Sequence, residues 1–111
     1  MDTLETYRQI IRTVLTPYLH IHYANVDAQN HAAFDPQTDQ YLVISTGWSR
    51  EGRIHSCLIH ISIENGKVWI QRDNTEDGIA NELIAAGIPK DAIVLGFHEP
   101  EIRPYTGFAV A

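Results

Sequence analysis

The sequence predicts one small α+β domain, in which helices cover one face of an antiparallel sheet of about four strands. Three observations predict this class. An amphipathic helical pattern opens the chain, strand-like runs joined by short turns follow, and a second helical pattern comes after them. With 111 residues the chain has room for one core, so we expect a single domain over residues 1–111.

The first helix is expected over residues 3–18. Apolar side chains recur there at intervals of three and four, which places them along one stripe of a helix. They are Leu4, Tyr7, Ile11, Val14, Leu15 and Tyr18. Pro17 lies at the end of this pattern, where proline ends or kinks the last turn.

The middle of the chain reads as strands. A strand is expected to close at residues 32–34, before the turn cluster at residues 35–39. Strands are then predicted over residues 40–48 and 53–63, joined by a hairpin loop. The second of these is apolar on both faces, which predicts a central strand covered on both sides.

The Asn65-Gly66 pair between two strand-like runs is typical of a type I′ turn, because both residues must adopt positive φ. The returning strand covers residues 67–72, with Trp69 facing away from Val68 and Ile70. Three successive strands joined by short turns form an antiparallel meander.

The second helix is expected to follow Thr75 as its N-cap, with Glu76 and Asp77 near its positive end. Gly87 and Pro89 provide the stop. Residues 92–95 are expected to form a short buried strand or extended segment. Residues 96–111 are predicted to be mainly irregular, and their apolar end, residues 106–111, is expected to dock on the domain.

Charge limits the function classes. The chain has 8 Lys and Arg against 14 Asp and Glu, a formal net charge of −6 at pH 7. Because phosphate neutralisation dominates non-specific DNA affinity, this balance argues against autonomous DNA binding. No apolar run is long enough for a membrane span, the first residues do not resemble a secretory leader, and Cys57 is the only cysteine. The expected location is the cytoplasm, without a membrane partner.

His55, Cys57 and His60 lie in one predicted strand and raise the question of a metal or nucleophile site. Strict alternation places His55 and Cys57 on one face and His60 on the other, which leaves too few ligands on each side. Cys57 is therefore expected to be a buried structural residue and the two histidines hydrogen-bonding ones. A His20–His22 pair also lacks a third ligand.

The polar junction between the last strand of the meander and the second helix holds Asp73, Glu76 and Asp77. Such residues bind anions or cap a helix, and their clustered negative charge favours capping. His98 lies in a similar polar part of the tail. The sequence has no phosphate loop, nucleophile elbow, zincin helix or dinucleotide fingerprint, so we expect no catalytic residue, metal or cofactor.

Several runs of sequence, in order along nearly the whole chain, carry a family resemblance. They are YRQII at 7–11, GW at 47–48, HSCLIHI at 55–61, GKVWIQRD at 66–73, EL at 82–83, GIPK at 87–90, IVLGFH at 93–98 and TGFAVA at 106–111. On these runs the chain resembles the XisI family, the fdxN element excision controlling factors. Two places depart from that pattern: Glu99 stands where proline is expected, and residues 25–31 match poorly.

The resemblance implies an XisI-like α+β fold and a role beside an XisH-like protein of nuclease fold and, indirectly, a site-specific recombinase. It implies programmed excision of a DNA element during heterocyst differentiation in cyanobacteria. It carries no assigned catalytic residues.

The preferred hypothesis is a binding module, not an enzyme, that controls an XisH-like partner and meets DNA only indirectly. Charge complementarity with a basic nuclease cleft favours such contact. The candidate contact residues are Trp48, Trp69, Asp73, Glu76, Asp77, His55, His60 and His98.

Three alternatives stay open. One is a small enzyme or ligand-binding domain that uses His55, His60 or Asp73 in a pocket. Another is a direct DNA-binding directionality factor, which predicts salt-sensitive duplex binding. A second copy of the chain is a further candidate partner, because small sheets often pair through an uncovered edge or face.

Overall fold

The computed structural model describes residues 2–24 and 26–111. Of the poorly matching residues 25–31, Asn25 lies outside the described part. The elements in chain order are α1 (Thr3–Leu15), β1 (Asp27–Asp35), β2 (Gln40–Ser49), β3 (Gly52–Glu64), β4 (Lys67–Asp73), α2 (Ile79–Ala85) and β5 (Ile93–Leu95). Short 3₁₀ turns lie at Thr16–His20, Lys90–Ala92 and Arg103–Tyr105.

The strands form one sheet in the order β1-β2-β3-β4-β5. Neighbouring strands from β1 to β4 are antiparallel, whereas β5 pairs with β4 in parallel. The α+β class and the meander of β2, β3 and β4 are thus confirmed. The sheet has five strands instead of about four, because the short extended segment after α2 pairs at its edge. No helix within the described ranges is long and apolar enough to cross a membrane.

The β3–β4 turn is the type I′ turn that the sequence predicts. Asn65 and Gly66 have φ of 53° and 78°, the positive values that this turn requires. The β2–β3 hairpin also turns over two residues, Arg50 and Glu51. Short local signals therefore determine the two turns of the meander.

The helix α1 ends at Leu15, not at Tyr18 as predicted. Pro17 has no backbone N–H to continue the α-helical ladder, and the chain tightens into the 3₁₀ turn Thr16–His20. This change moves Tyr18 off the apolar stripe, and its ring is only half-buried. Tyr18 and Leu19 therefore pack against the core only in part.

The prediction that Thr75 caps α2 is wrong. The helix begins at Ile79, and its N-cap is Gly78, which has φ of 81° and no side chain to offer. The carboxylate of Asp73 accepts the Ile79 N–H instead, at 2.8 Å. The predicted stop is confirmed: Gly87 has φ of 118°, and the N–H of Ile88 bonds to the Leu83 carbonyl at 3.0 Å.

The hydrophobic core lies between the two helices and one face of the sheet, which we call the inner face. Tyr7, Ile11 and Leu15 from α1 and Ile79 and Leu83 from α2 are buried there. The sheet contributes Tyr41, Val43, Ile59, Ile61, Ile63, Val68, Ile70 and Ile93. The predicted packing of both helices on one face is therefore confirmed.

Two β-bulges overturn the alternation expected along β3 and β4. Val43 pairs with Ile59 while Ile44 pairs with Cys57, so Leu58 is an extra residue in β3. His55, Cys57 and His60 consequently share the opposite face, which we call the outer face, and the prediction that His60 points away from the other two is wrong. β3 is central, but His55 is exposed and Cys57 and His60 are half-buried, so this strand is not covered on both sides along its length.

The second bulge has the same effect in β4. His60 pairs with Arg72, whereas Ile61 pairs with Ile70, which leaves Gln71 as the extra residue. The bulge turns Asp73 toward the inner face, where it pairs with Ile59. Asp73 can cap α2 only because of this change of face.

A charged contact fastens α1 to the turn between β1 and β2. The guanidinium of Arg8 donates to both carboxylate oxygens of Asp39, at 2.8 and 3.2 Å. The Tyr41 hydroxyl lies 3.1 Å from the same carboxylate. The Arg8 hydrogen bond holds the pKa of Asp39 below its ordinary value, and burial together with Asp39 raises the pKa of Tyr41 to about 12.

Replacing Asp39 by asparagine is expected to lower the free energy of unfolding at pH 7 by about 1 kcal/mol, the size of a partly screened charge-assisted pair. Because the pKa of Asp39 is lowered in the folded state, this stabilisation is present above the unfolded-state pKa and is lost as the pH falls through the folded-state pKa. Urea unfolding of both proteins at pH 7 and at about pH 3 measures this. Asp91→Asn, at an exposed carboxylate, is the control. If Asp39→Asn lowers the free energy of unfolding by the same amount at both pH values, the loss does not come from the Arg8–Asp39 ion pair.

Candidate functional site

An open cleft of about 610 Å³ lies where three separate parts of the chain meet. One wall is the Thr16–His20 turn and the residues after it, with Tyr18 and Tyr23. Leu58 enters from the bulge in β3. The opposite wall comes from the link between β4 and α2 and from Glu82 of α2. Clefts of this size that combine rings with a few convergent polar groups are typical binding sites.

Asp73 shapes the wall that precedes α2. Its carboxylate accepts hydrogen bonds from the Thr75 N–H at 3.0 Å, the Thr75 hydroxyl at 2.5 Å and the Ile79 N–H at 2.8 Å. The N–H of Asn74 bonds to the Leu58 carbonyl at 2.9 Å. These contacts fix the link, and they leave the exposed carboxylates of Glu76 and Asp77 at the cleft.

The tyrosine wall is held by a buried amide in the edge strand. Asn30 is 6% exposed, and its Nδ2 donates to the Tyr18 carbonyl at 2.7 Å and to the Tyr23 hydroxyl at 3.1 Å. Its Oδ1 accepts a hydrogen bond from Ser45 at 2.5 Å. A buried amide that satisfies both ends in this way fixes its partners in one arrangement. The position of both tyrosines therefore depends on β1.

Tyr18 also joins the two walls, because its hydroxyl donates to the carboxylate of Glu82. Burial, reinforced by that hydrogen bond, raises the pKa of Tyr18 above its ordinary value. The ring therefore stays neutral and donates. Glu76, Asp77 and Glu82 make the cleft negative, and no Lys or Arg is among the described residues that line it.

The histidine and cysteine cluster lies elsewhere, on the outer face. His60 Nε2 is 2.7 Å from Gln40 Oε1, and burial lowers the pKa of His60. Cys57 donates its thiol to the Ile59 carbonyl at 3.3 Å, and burial raises its pKa, so the thiol is protonated and weakly nucleophilic. Cys57 is half-buried, not fully buried as predicted. Within residues 2–24 and 26–111, no three His, Cys, Asp or Glu side chains are arranged to hold a metal ion.

The other predicted residues are dispersed. Trp48 is 59% exposed at the end of β2, with the Arg53 guanidinium 5.4 Å from its ring centroid. Trp69 is half-buried on the outer face, under Arg103. His98 packs against Phe97 in the tail. His55 and His60 lie on the face opposite to Asp73, so these three residues do not share one pocket.

Of the predicted residues, only Glu76 and Asp77 line the cleft, while Asp73 supports it from behind. Sequence reasoning missed Tyr18, Tyr23 and Glu82 as site residues, and Asn30 as their support. Tyr18 fitted the apolar stripe of the predicted helix. Pro17, just before it, was the available signal that the helix ends earlier and that Tyr18 lies outside it. Nothing local marks Asn30, because its partners come from two other elements.

The molecule is a small α+β domain, with a five-stranded sheet, two helices on one face of it, and an open cleft of mixed aromatic and carboxylate character beside the helices. The family model described as XisI protein matches residues 1–110. The chain belongs to the XisI family.

Two solved structures from Anabaena variabilis ATCC 29413 are similar to the chain. An XisI-like protein is 32% identical, with a TM-score of 0.86, over 98% of this chain and 100% of its own. The fdxN element excision controlling factor XisI is 37% identical, with a TM-score of 0.83, over 99% of this chain and 100% of its own. No curated protein matches the chain.

Proposed function

We propose that the chain is a controlling factor in the site-specific excision of a DNA element, and that it acts by binding a protein partner, not by catalysis. Its family and the printed name of its Anabaena relative support the process. The open cleft carries the binding proposal, because three carboxylates and two tyrosine rings converge there with no Lys or Arg among the described lining residues.

The chemistry of the cleft favours a basic side chain as its occupant. A guanidinium pairs with a carboxylate through two hydrogen bonds and stacks on a tyrosine ring. Glu76 and Asp77 offer the first kind of contact, and Tyr18 and Tyr23 offer the second. An arginine or lysine from a partner thus fits where a phosphate would be repelled.

An XisH-like protein of nuclease fold is the proposed partner. A protein that handles DNA needs Lys and Arg to hold phosphates, and such a surface attracts a chain of net charge −6. The recombinase and the DNA would be reached through that partner. The proposed setting is the cytoplasm.

The test is light scattering after size exclusion, on the chain mixed with an XisH-like protein from the same genome. We expect a mixed complex, and we expect Glu76→Gln combined with Asp77→Asn to weaken it at least about tenfold, because the lost charges are those that meet the basic partner. Both residues are exposed, so their replacement leaves the fold intact.

The matched control is Glu51→Gln combined with Asp91→Asn, which removes the same charge from exposed positions outside the cleft. This pair is expected to leave the affinity unchanged. If both pairs of substitutions weaken the complex equally, the effect comes from net charge alone, and the cleft is excluded as the contact surface. Absence of any complex would exclude direct pairing altogether.

A further inference from the structure

The outer face of the sheet is divided into a covered half and an open half. Residues 96–111, which we call the tail, cover β4 and β5: the Arg103 guanidinium lies 5.1 Å from the Trp69 ring centroid, and a Cβ at Gly96 would lie 3.1 Å from the same ring. Val94 beneath the tail is fully buried. No element among the described residues plays this part over β1, β2 and β3.

The open half, defined as the outer face of β1, β2 and β3, has no Asp, Glu, Lys or Arg at its centre and is partly apolar. Its central outward positions are Gln29, His31, Ala33, Leu42, Ile44, Thr46, His55, Cys57 and His60. Among the described residues, its carboxylates lie at strand ends, at Asp27 and Asp35 of β1 and at Glu64 of β3, and Arg53 lies near the other end of β3. Although the chain has 14 Asp and Glu residues, none of the described ones lies at the centre of this surface.

The tail has the complementary character. It exposes large apolar side chains, with Phe97 at 48%, Ile102 at 46% and Tyr105 at 86% exposed. Its carboxylates, Glu99 and Glu101, are also exposed. A tyrosine this exposed beside other apolar side chains is typical of a contact surface.

We propose that two copies of the chain associate through their outer faces, each placing its tail on the open half of the other. The tail stands above the sheet, so each copy has a raised half beside a low half. A two-fold axis that runs parallel to the strands, between the two faces, exchanges the halves and brings raised against low. An axis across the strands would oppose the two tails and leave the open halves apart.

In this arrangement, apolar side chains of the tail face apolar side chains of the open half, and polar groups face polar groups. Ile102 and Tyr105 of the tail meet the apolar floor of Leu42 and Ile44, and the tail carboxylates meet imidazole N–H donors of the open half. Because the floor carries no central carboxylate, the copies do not oppose like charges there despite their net charge.

The size of the surface also fits a dimer. Three strands of nine or more residues make an open half about 14 Å wide and about 30 Å long, or roughly 400 Å². Each copy contributes this area together with the exposed side chains of its tail, toward the roughly 800 Å² per partner of a standard stable interface. This inference does not depend on the XisH-like partner.

Sedimentation velocity of the chain alone, at concentrations up to about 1 mM, tests the proposal. We expect a dimer. Ile44→Lys in the open half and Tyr105→Ala in the tail should each raise the dissociation constant at least about tenfold. Both variants are expected to fold, since a lysine stem covers the same surface as Ile44 and Tyr105 is almost fully exposed.

The matched control is Ile84→Lys, the same substitution at an exposed isoleucine of α2, away from the outer face. It is expected to leave the dissociation constant unchanged. A chain that stays monomeric throughout would overturn the proposal. So would a dimer that neither Ile44→Lys nor Tyr105→Ala weakens, which would place the contact elsewhere, such as the free edge of β1.

Discussion

Replacing Gly47 by alanine is expected to lower the free energy of unfolding by at least about 3 kcal/mol, a loss in the severe range for a single substitution. A Cβ at this position would lie 2.0 Å from the Asp27 carbonyl oxygen and 2.6 Å from the Ala28 Cα. Both atoms are backbone, so the clash is relieved only if β1 moves away from β2. Gly47 also has φ of 156°, in the region that favours glycine.

The consequence should extend to the cleft, because β1 carries Asn30, which holds Tyr18 and Tyr23. Urea unfolding gives the stability, and amide hydrogen exchange in β1 reports whether the strand has detached. Binding of the proposed XisH-like partner is expected to weaken together with the loss of exchange protection.

Gly52→Ala is the control for this experiment. Gly52 has φ of 124°, yet a Cβ there would meet nothing within 4 Å. Its replacement introduces backbone strain alone, at a cost of about 1 to 2 kcal/mol. If both variants lose the same free energy of unfolding, the close approach of β1 is not the reason that glycine is needed at position 47.

Ile61→Ala should cost about 3 to 4 kcal/mol of unfolding free energy, through lost burial and the cavity that remains. Ile61 is fully buried in the central strand, paired with Tyr41 on one side and Ile70 on the other. Its neighbours belong to three strands and cannot close the gap together. Urea unfolding of the wild type and the variant at one pH measures the difference.

Two further variants test whether the loss of stability follows the volume removed and the burial of the position. Ile61→Val removes a single methyl group and should cost about 1 kcal/mol. Ile84→Ala changes the same residue type at a position that is 36% exposed, and should cost less than about 1 kcal/mol. A loss at Ile84 as large as that at Ile61 would contradict a core centred on β3.

The elements that sequence reasoning placed correctly are those whose signals are local. The Asn65-Gly66 turn takes the positive φ values that its residues permit, and the stripe from Tyr7 to Leu15 is the buried face of α1. The Gly87 stop of α2 is likewise a matter of one residue's backbone freedom. In each case a few adjacent residues suffice to determine the conformation.

The candidate site was less predictable because it is made by non-local pairing. The bulge at Leu58 brings His60 to the same face as Cys57, and the bulge at Gln71 turns Asp73 inward to cap α2. Alternation along a strand cannot reveal either change, since an inserted residue is defined only against the partner strand.

By itself, the sequence determined the α+β class, the meander, the helical stripes and the family, because turn chemistry, periodicity and the order of its runs are all read within short stretches. Only the tertiary structure decided which side chains meet. The cleft joins Tyr18, Leu58 and Glu82, which lie far apart in the chain, and the buried amide of Asn30 holds one of its walls. Such contacts arise when the sheet closes and its polar groups find partners, which requires all the elements at once.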